Sequence, residues 1–270
     1  MKLRRFAIVA LSLGLLIATS NTLSGTISRQ KFSESYPSVV CPATLSGLSS
    51  QVSLGSRETR IKRVGSTSSK FFSSRALRIP VPGDPILVDA QGITPIIWQS
   101  RAGSWAGGTI CSNPAASQWF VGGAADVTSK GRLVLVNSGL SSAIVEIEIW
   151  NEIGVQPAKA ITIKANSYSE VGIDSLAPGS KAVVVKTLTR AGRVTSYMLD
   201  ERGRGLRALG GDLINFTAKA EKEVFIPAIP HTVRKERSKS VELPHSLRLL
   251  VPGEIDAHVT VTVFSTDGTF

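Results

Sequence analysis

Apolar and polar residues alternate along much of the second half of the chain. The clearest case runs from Ala143 to Trp150, where Glu146 and Glu148 occupy one set of alternate positions. The other set is apolar and consists of Ala143, Val145, Ile147 and Ile149. Successive side chains of a strand point to opposite faces, so this period of two predicts a half-buried strand whose glutamates face water.

Short segments of this kind, bounded by Gly, Pro and polar residues, recur between 131 and 227. About seven such strands with turn signals between them are typical of a β-sandwich. Residues 41–270 contain no segment with a helical period. The pattern therefore predicts an all-β fold, an immunoglobulin-like β-sandwich. Within it, strands at 182–188 and 193–199 are joined across Arg190-Ala191-Gly192, a short connection that predicts an antiparallel hairpin.

Part of this pattern is repeated at the C-terminus. Residues 132–154 align without gaps onto 246–268. The identical residues are Leu133, Leu135, Gly139, Ala143, Val145 and Gly154, which recur as Leu247, Leu249, Gly253, Ala257, Val259 and Gly268. We expect both copies to form the same hairpin, so that a second sandwich begins within 245–270. Since the second copy stops at Phe270, we expect that sandwich to be incomplete and the chain to be a fragment.

The N-terminus has the layout of an export signal. Lys2, Arg4 and Arg5 precede an unbroken apolar run from Phe6 to Ala18. That run is short for a membrane span of roughly 20 residues, so a cleaved signal and a retained anchor both remain open. Either way we expect the protein to work outside the cytoplasmic membrane, membrane-anchored or secreted.

Two cysteines, Cys41 and Cys111, are the only ones in the chain. An isolated pair in an exported protein usually forms a disulfide, and two buried free thiols are the alternative. The bond would stabilise the fold by about 4 kcal/mol, because it closes a long loop in the unfolded chain. No CxxC motif is present, and we expect neither a metal site nor a cofactor.

The formal net charge of +11 suggests anionic partners. Outside the membrane these are wall polymers and lipid headgroups. No aromatic residues interleave with the cations as a surface for stacking nucleic-acid bases would require, so nucleic acid is not expected. Within a glycine-flanked segment, Arg202, Arg204 and Arg207 are the expected contacts to an anionic polymer. The other basic groups are Arg57, Arg60, Lys62 and Arg63, and Arg234, Lys235, Arg237 and Lys239.

The sequence contains no catalytic motif that we recognise. GxSxG, HExxH and P-loop patterns are missing, so no catalytic residue is predicted. Glu146 and Glu148 are interpreted as ordinary outward strand residues. Trp98, Trp105 and Trp119 are close in sequence, and an exposed indole among them could stack on a sugar ring. Burial in the core is the alternative, since each indole covers a large area.

Several motifs in order resemble a family of actinobacterial envelope proteins of unknown function. They are Val40-Cys41-Pro42, Cys111-Ser112-Asn113-Pro114, Trp119-Phe120-Val121-Gly122-Gly123, Leu133-Val134-Leu135-Val136-Asn137, Asp200-Glu201-Arg202, Gly205-Leu206 and Ile226-Pro227. The resemblance covers about 41–230. It implies an all-β extracellular region behind one retained N-terminal anchor, and a bond between Cys41 and Cys111. It implies no activity.

The expected layout divides the chain at changes in composition. Its segments are a signal or anchor at 1–22, a flexible tether at 23–40, a β-rich region at 41–125, the sandwich at 126–230, a basic linker at 231–244 and the second sandwich at 245–270. We expect a non-catalytic, membrane-tethered envelope protein that acts as a scaffold or binding module. The alternatives are a wall-polymer or carbohydrate-binding protein and an enzyme of cell-wall polysaccharide metabolism. A flat basic face with an exposed Trp would favour the binding protein, and an acidic cleft with two facing carboxylates would favour the enzyme.

Overall fold

The structure is a computed structural model. It describes residues 38–55, 58–67, 70–89, 93–205, 207–227, 229, 233–236, 239–242, 246–265 and 268–269. The expected signal or anchor at 1–22, most of the expected tether at 23–40, and Arg57 lie outside these residues. Within the described ranges, no helix is long and apolar enough to cross a membrane.

Strands make up nearly all of the regular structure, and one 3-10 turn is present at Ile173–Ser175. The strands, in chain order, are β1 Val39–Cys41, β2 Ser49–Ser53, β3 Thr59–Arg63, β4 Phe72–Ser74, β5 Arg78–Pro80, β6 Ile86–Asp89, β7 Ile96–Arg101, β8 Trp105–Ile110, β9 Ser117–Val121, β10 Lys130–Asn137, β11 Ala143–Asn151, β12 Gly154–Ile163, β13 Ser167–Gly172, β14 Val183–Ala191, β15 Val194–Arg204, β16 Arg207–Ile214, β17 Val233–Glu236, β18 Lys239–Glu242, β19 Phe264–Ser265 and β20 Gly268–Thr269.

These strands form four antiparallel sheets of four strands each, together with two small hairpins. Sheet A has the order β1-β6-β3-β4 and sheet B the order β5-β2-β7-β8. Sheet C has the order β12-β11-β14-β9 and sheet D the order β13-β10-β15-β16. The prediction of an all-β sandwich fold is confirmed. Since β9 pairs with β14, sheet C includes Ser117–Val121 as well as strands beyond residue 126.

The central strands of sheet D, β10 and β15, are buried on both faces and contribute to two hydrophobic cores. Leu133 and Leu135 of β10 pack with sheet C, whereas Val134 and Val136 pack with the core of sheets A and B. The same division holds along β15, where Met198 faces sheet C. Alternate side chains of a strand face opposite ways, so a strand covered on both sides needs apolar residues at every position. The continuous Leu-Val-Leu-Val run of β10 meets that need.

One face of sheet C is buried and the other faces solvent, as the alternation in β11 predicted. Ala143, Val145, Ile147 and Ile149 are buried against sheet D. β12 lies at the edge of this sheet and contains Pro157, close to a register shift between Ile147 and Ile149 of β11. Proline lacks an N–H for the ladder and is tolerated at edges and bulges, so the sequence of β12 suits its place.

The predicted hairpin across Arg190-Ala191-Gly192 is wrong. β14 belongs to sheet C and β15 to sheet D, so the connection is an arch between two facing sheets. β10 and β11 are connected in the same way, and the expected hairpin within 132–154 is also an arch. The physical reason is that β10 and β15 are buried on both faces and form the central layer, whereas β11 and β14 each have a polar side that faces water.

The C-terminal region contains β17 and β18, which form a hairpin within the expected linker. Residues 246–263 belong to no strand or helix. At the tip of the expected second copy, Phe264 pairs with Thr269 and Ser265 with Gly268. The corresponding residues of the first copy pair in the same register, as Trp150 with Val155 and Asn151 with Gly154. The second sandwich stays a prediction.

Candidate functional site

Cys41 and Cys111 are joined by a disulfide, as predicted. Cys41 ends β1 and Cys111 directly follows β8, and both are buried in the core of sheets A and B. The buried Tyr197 hydroxyl of β15 donates to the Val40 carbonyl and accepts a hydrogen bond of 2.8 Å from the Ser112 N–H. Burial raises the pKa of Tyr197 well above its usual range, so the hydroxyl stays protonated and can donate. Tyr197 of sheet D is thereby hydrogen-bonded to Val40 and Ser112, the sequence neighbours of the two disulfide cysteines.

The arginines expected to contact an anionic polymer lie at the tip of the β15–β16 hairpin, where Arg204 pairs with Arg207. The side chains of these two residues lie outside the described part of the structure. Arg202 is described, and its Nε donates to Asp200 Oδ2 over 2.8 Å. A neighbouring carboxylate therefore neutralises Arg202, which weakens this hairpin as an anion site.

Glu201, next to that ion pair, is buried. Its carboxylate accepts two hydrogen bonds from Arg101 and one of 3.1 Å from the indole N–H of Trp105. Burial opposes ionisation of Glu201, but the hydrogen bonds from Arg101 and Trp105 outweigh it and hold its pKa below the ordinary value. This cluster joins sheet B to sheet D, and Trp105 is therefore a structural residue.

Two stacked tryptophans lie on the outer face of sheet C. The rings of Trp119 and Trp150 stack with their centroids 5.3 Å apart. Lys186 Nζ lies 4.8 Å from the Trp119 ring centroid and 2.9 Å from Glu148 Oε2. Glu146 likewise pairs with Arg190 at 2.7 Å. Both glutamates face outward as predicted, and each carboxylate is already bound to a cation.

Of Trp98, Trp105 and Trp119, Trp98 has the most solvent-exposed indole. It lies on the outer face of sheet B and is 49% exposed. A shallow cavity of about 220 Å³ beside it is lined by Trp98, Gln51, Ser53 and Arg78. We call this surface the Trp98 face. Gln51 pairs directly with Trp98 and Ser53 with Ile96, so the strand register itself brings the polar groups beside the ring.

The Trp98 indole lies over Gly108 of the neighbouring strand, which we call the floor of the Trp98 face. Gly108 is the strand partner of Trp98, and a Cβ built on it would approach Trp98 Cε3, Cζ3 and Cδ2 to 2.8, 3.1 and 3.2 Å. These similar distances mean that one face of the ring covers Gly108 and leaves the opposite face to solvent. The Gly108 N–H donates to Asp212 Oδ1 over 3.1 Å, so a side chain of sheet D fixes the floor. Burial raises the pKa of Asp212, against the effect of hydrogen bonds from Leu213 and Gly108.

Charge on the Trp98 face is positive. Arg78 is exposed, and no carboxylate of the described residues forms an ion pair with it. The cavity lining contains no acidic side chain. Among the described residues, no group of three or more His, Cys, Asp or Glu side chains is placed to hold a metal ion. The arrangement can therefore stack, hydrogen-bond and attract an anion, whereas the lining offers no general acid or base.

Sequence reasoning named Trp98 but missed Gln51, Ser53, Arg78 and Gly108. A signal for them was present in the two alternating segments 49–53 and 96–100, in which every second residue is apolar or buried. Treating Ile96-Ile97-Trp98 as a strand with Ile97 inward places Trp98 on the outer face. The partners across the sheet depend on register, which the sequence does not specify.

A family model with the description "Family of unknown function (DUF5719)" matches residues 96–270. None of the curated proteins matches the chain. A solved structure titled "Crystal Structure of Thermotoga maritima 1070" is 14% identical, with a TM-score of 0.34, and covers 40% of this chain and 98% of its own.

Proposed function

The chain belongs to a family of unknown function (DUF5719), and we propose that it is a non-catalytic, extracytoplasmic module that binds a carbohydrate polymer on the Trp98 face. One observation carries the proposal. An indole on a flat sheet has one face against Gly108 and the other open, with uncharged polar groups and one cation at its edge. An apolar plane of this kind complements the C–H face of a pyranose ring, and the surrounding groups complement its hydroxyls.

The polar groups of the face are free to bind. The side chains of Gln51 and Ser53 line the cavity, and neither forms a hydrogen bond with another described residue. An amide supplies two donors and an acceptor, and a hydroxyl supplies both kinds of group. This is the chemistry that sugar hydroxyls require. A surface that served only as a scaffold would not need an open indole next to polar side chains that are without protein partners among the described residues.

An enzyme of polysaccharide metabolism is less well supported. Glycosidases position two carboxylates across the bond that they cleave. The Trp98 face offers a guanidinium and no carboxylate. Glu146 and Glu148, the outward acids of β11, are in ion pairs with Arg190 and Lys186. The geometry therefore favours retention of a polymer over its cleavage.

The test is electrophoresis of the purified protein through native gels that contain dextran, galactan or polygalacturonate. We expect at least one polymer to retard the protein. Trp98→Ala should weaken that retardation about tenfold, equivalent to about 1.4 kcal/mol, because the stacking surface is removed. Gly108→Ala should weaken it as well, since the new methyl group must lift the ring from its floor.

Phe72→Ala provides the matched control. Phe72 is an aromatic residue on sheet A that is 50% exposed, nearly the same as Trp98, but it lies away from the Trp98 face. Loss of binding in Trp98→Ala together with wild-type binding in Phe72→Ala supports the proposal. If no polymer retards the protein, or if both variants bind like the wild type, the Trp98 face is not a carbohydrate site.

The compartment and the membrane tether are part of the proposal. The disulfide between Cys41 and Cys111 and the cationic, then apolar, N-terminus support export. Cell fractionation of the expressed chain tests this: we expect it in the membrane fraction with an extracellular epitope accessible to protease. Recovery in the cytoplasm with both thiols free would refute export, and recovery in the medium would refute the tether alone.

A further inference from the structure

We propose that the ligand of the Trp98 face is an acidic saccharide, whose sugar ring lies on Trp98 and whose carboxylate or phosphate is bound by Arg78. This inference rests on the proposed function and specifies its ligand. It moves the anion contact away from the β15–β16 hairpin, where Arg202 is already paired with Asp200.

Arg78 forms no ion pair with a described acidic side chain and lies beside the Trp98 indole. Five described arginines form ion pairs with acidic side chains, namely Arg60, Arg101, Arg132, Arg190 and Arg202, whereas Arg63, Arg75, Arg193 and Arg248 form none with the described residues. Arg78 has no such partner in the described residues, although it lines the cavity beside an indole. A guanidinium presents a planar fork of donors that matches a carboxylate or phosphate. An unpaired fork at the edge of a stacking platform is suited to an anionic substituent of the stacked group.

The outer face of sheet B carries a single kind of charge. Sheet B presents the alternate residues of its four strands to solvent, and all four strands are described. These outward residues are Ser49, Gln51, Ser53, Arg78, Pro80, Ile96, Trp98, Ser100, Ala106, Gly108 and Ile110. Arg78 is the one charged residue among them. A ligand anion would therefore meet attraction from Arg78, and no outward residue of sheet B is acidic; the nearby Asp212 carboxylate belongs to β16 and accepts a hydrogen bond from the Gly108 N–H.

Arg78 and Trp98 lie on strands separated by one intervening strand, β2. Arg78 pairs with Ser53, and Ser53 pairs with Ile96 of the strand that carries Trp98. The backbones of β5 and β7 are thus two strand spacings apart, roughly 10 Å. Trp98 is two residues further along β7, on the same face as Ile96. The long Arg78 side chain lines the same cavity as Trp98 and covers part of the distance between β5 and β7. An acidic group on a sugar stacked over Trp98, or on the next sugar of a polymer, is therefore within reach of the guanidinium.

The experiment compares neutral and acidic oligosaccharides of equal length by isothermal titration calorimetry. The probes are oligomers of galactose, of galacturonate and of galactose 6-phosphate. We expect the wild type to bind the galacturonate or phosphate oligomer about tenfold more tightly than the neutral one at low salt. That preference should fall as NaCl rises, because an exposed charge pair is screened. The two acidic probes distinguish a carboxylate from a phosphate ligand.

Arg78→Gln is the deciding variant. We expect it to lower the affinity for the acidic oligomer to that of the neutral one while leaving neutral binding unchanged. Arg193→Gln is the matched control, because it removes the same charge from an exposed residue outside sheet B and should leave every affinity unchanged. Trp98→Ala should weaken both classes. Both substituted arginines are exposed, and thermal unfolding checks that each variant is folded.

The outcomes separate this inference from the proposed function. If neutral and acidic oligomers bind equally well through Trp98 and Arg78→Gln changes nothing, the acidic ligand is refuted and the carbohydrate site stands. If acidic oligomers bind without regard to Trp98, and Arg193→Gln weakens them as much as Arg78→Gln, attraction is due to net charge and the inference fails. If none of the oligosaccharides binds, the proposed function itself fails.

Discussion

Removing the Glu201 carboxylate tests the junction between sheets B and D. Glu201 has 6% of its side chain exposed and holds both Arg101 and Trp105, whereas Glu146 has 30% exposed and holds Arg190 at the surface. We predict that Glu201→Ala lowers the free energy of unfolding by about 3 kcal/mol, at the lower end of the range for breaking a buried pair. The lower end applies because Arg101 is 31% exposed and regains some hydration when it loses its partner.

Glu146→Ala is the matched control and should cost about 0.5 kcal/mol, since exposed ion pairs contribute little. Urea unfolding followed by tryptophan fluorescence gives both values. At a slope of about 3 kcal/mol per molar urea, Glu201→Ala should lower the midpoint by about 1 M, and the control should barely change it. A double variant, Arg101→Met with Glu201→Leu, should recover much of the loss, because it removes the unpaired charge and fills the space.

The pH dependence gives a second measure of the same cluster. The folded pKa of Glu201 is lower than its unfolded value, so its contribution is complete above the unfolded pKa and is lost as pH falls through the folded pKa. The difference in stability between wild type and Glu201→Gln should therefore shrink below about pH 4.3. The reasoning is refuted if Glu201→Ala costs no more than Glu146→Ala, or if the difference between wild type and Glu201→Gln is the same at every pH.

Three further predictions concern other fixed points of the fold. The double change Cys41→Ser with Cys111→Ser should lower the free energy of unfolding by about 4 kcal/mol relative to the oxidised wild type in the chain-entropy model, measured by urea unfolding. The reduced wild type is the matched control and should unfold close to the variant, whereas equal midpoints for the oxidised wild type and the variant would contradict the prediction. Tyr197→Phe should cost about 1 kcal/mol, because it deletes a buried hydroxyl that donates to Val40, and a midpoint equal to that of the wild type would show that the bond is dispensable. The backbone N–H of Thr128 lowers the pKa of Asp126 most, so Asp126→Asn should lose stability relative to wild type above pH 4 and match it in acid, as thermal unfolding across pH would show. A deficit that persisted unchanged at low pH would contradict that assignment.

Strand positions along the second half could be predicted because burial leaves a direct mark on the chain. The alternation that includes Glu146 and Glu148 indicates that one face of β11 is exposed to solvent. The continuous apolar run Leu133–Val136 is typical of a strand that, like β10, is buried on both faces. Which strands pair could not be predicted in the same way. β14 and β15 are adjacent in sequence and still separate into facing sheets, because a short connection permits either a hairpin or an arch. Only the burial of β15 on both faces distinguishes the two.

The site was predictable only in part for a similar reason. The disulfide followed from Cys41 and Cys111 alone, since no other partner exists for either in the sequence. The Trp98 face depends on Gln51, Arg78 and Gly108, which are far from Trp98 in sequence and reach it through strand register. A glycine selected to lie beneath a ring has no local signature. The consequence is that an open indole can be proposed from sequence, while the groups that surround it cannot.

The position of the disulfide determines how the molecule would carry mechanical tension. The bond joins Cys41, at the end of β1, to Cys111, just after β8, and spans 70 positions of sequence. A pull that enters from the N-terminal side crosses this covalent link and continues to β9 without loading the chain between the two cysteines. Every strand of sheet B lies inside the bypassed segment. Trp98, Gln51 and Arg78 would therefore keep their geometry under a force that stretched the rest of the chain, provided that the sulfurs stay oxidised.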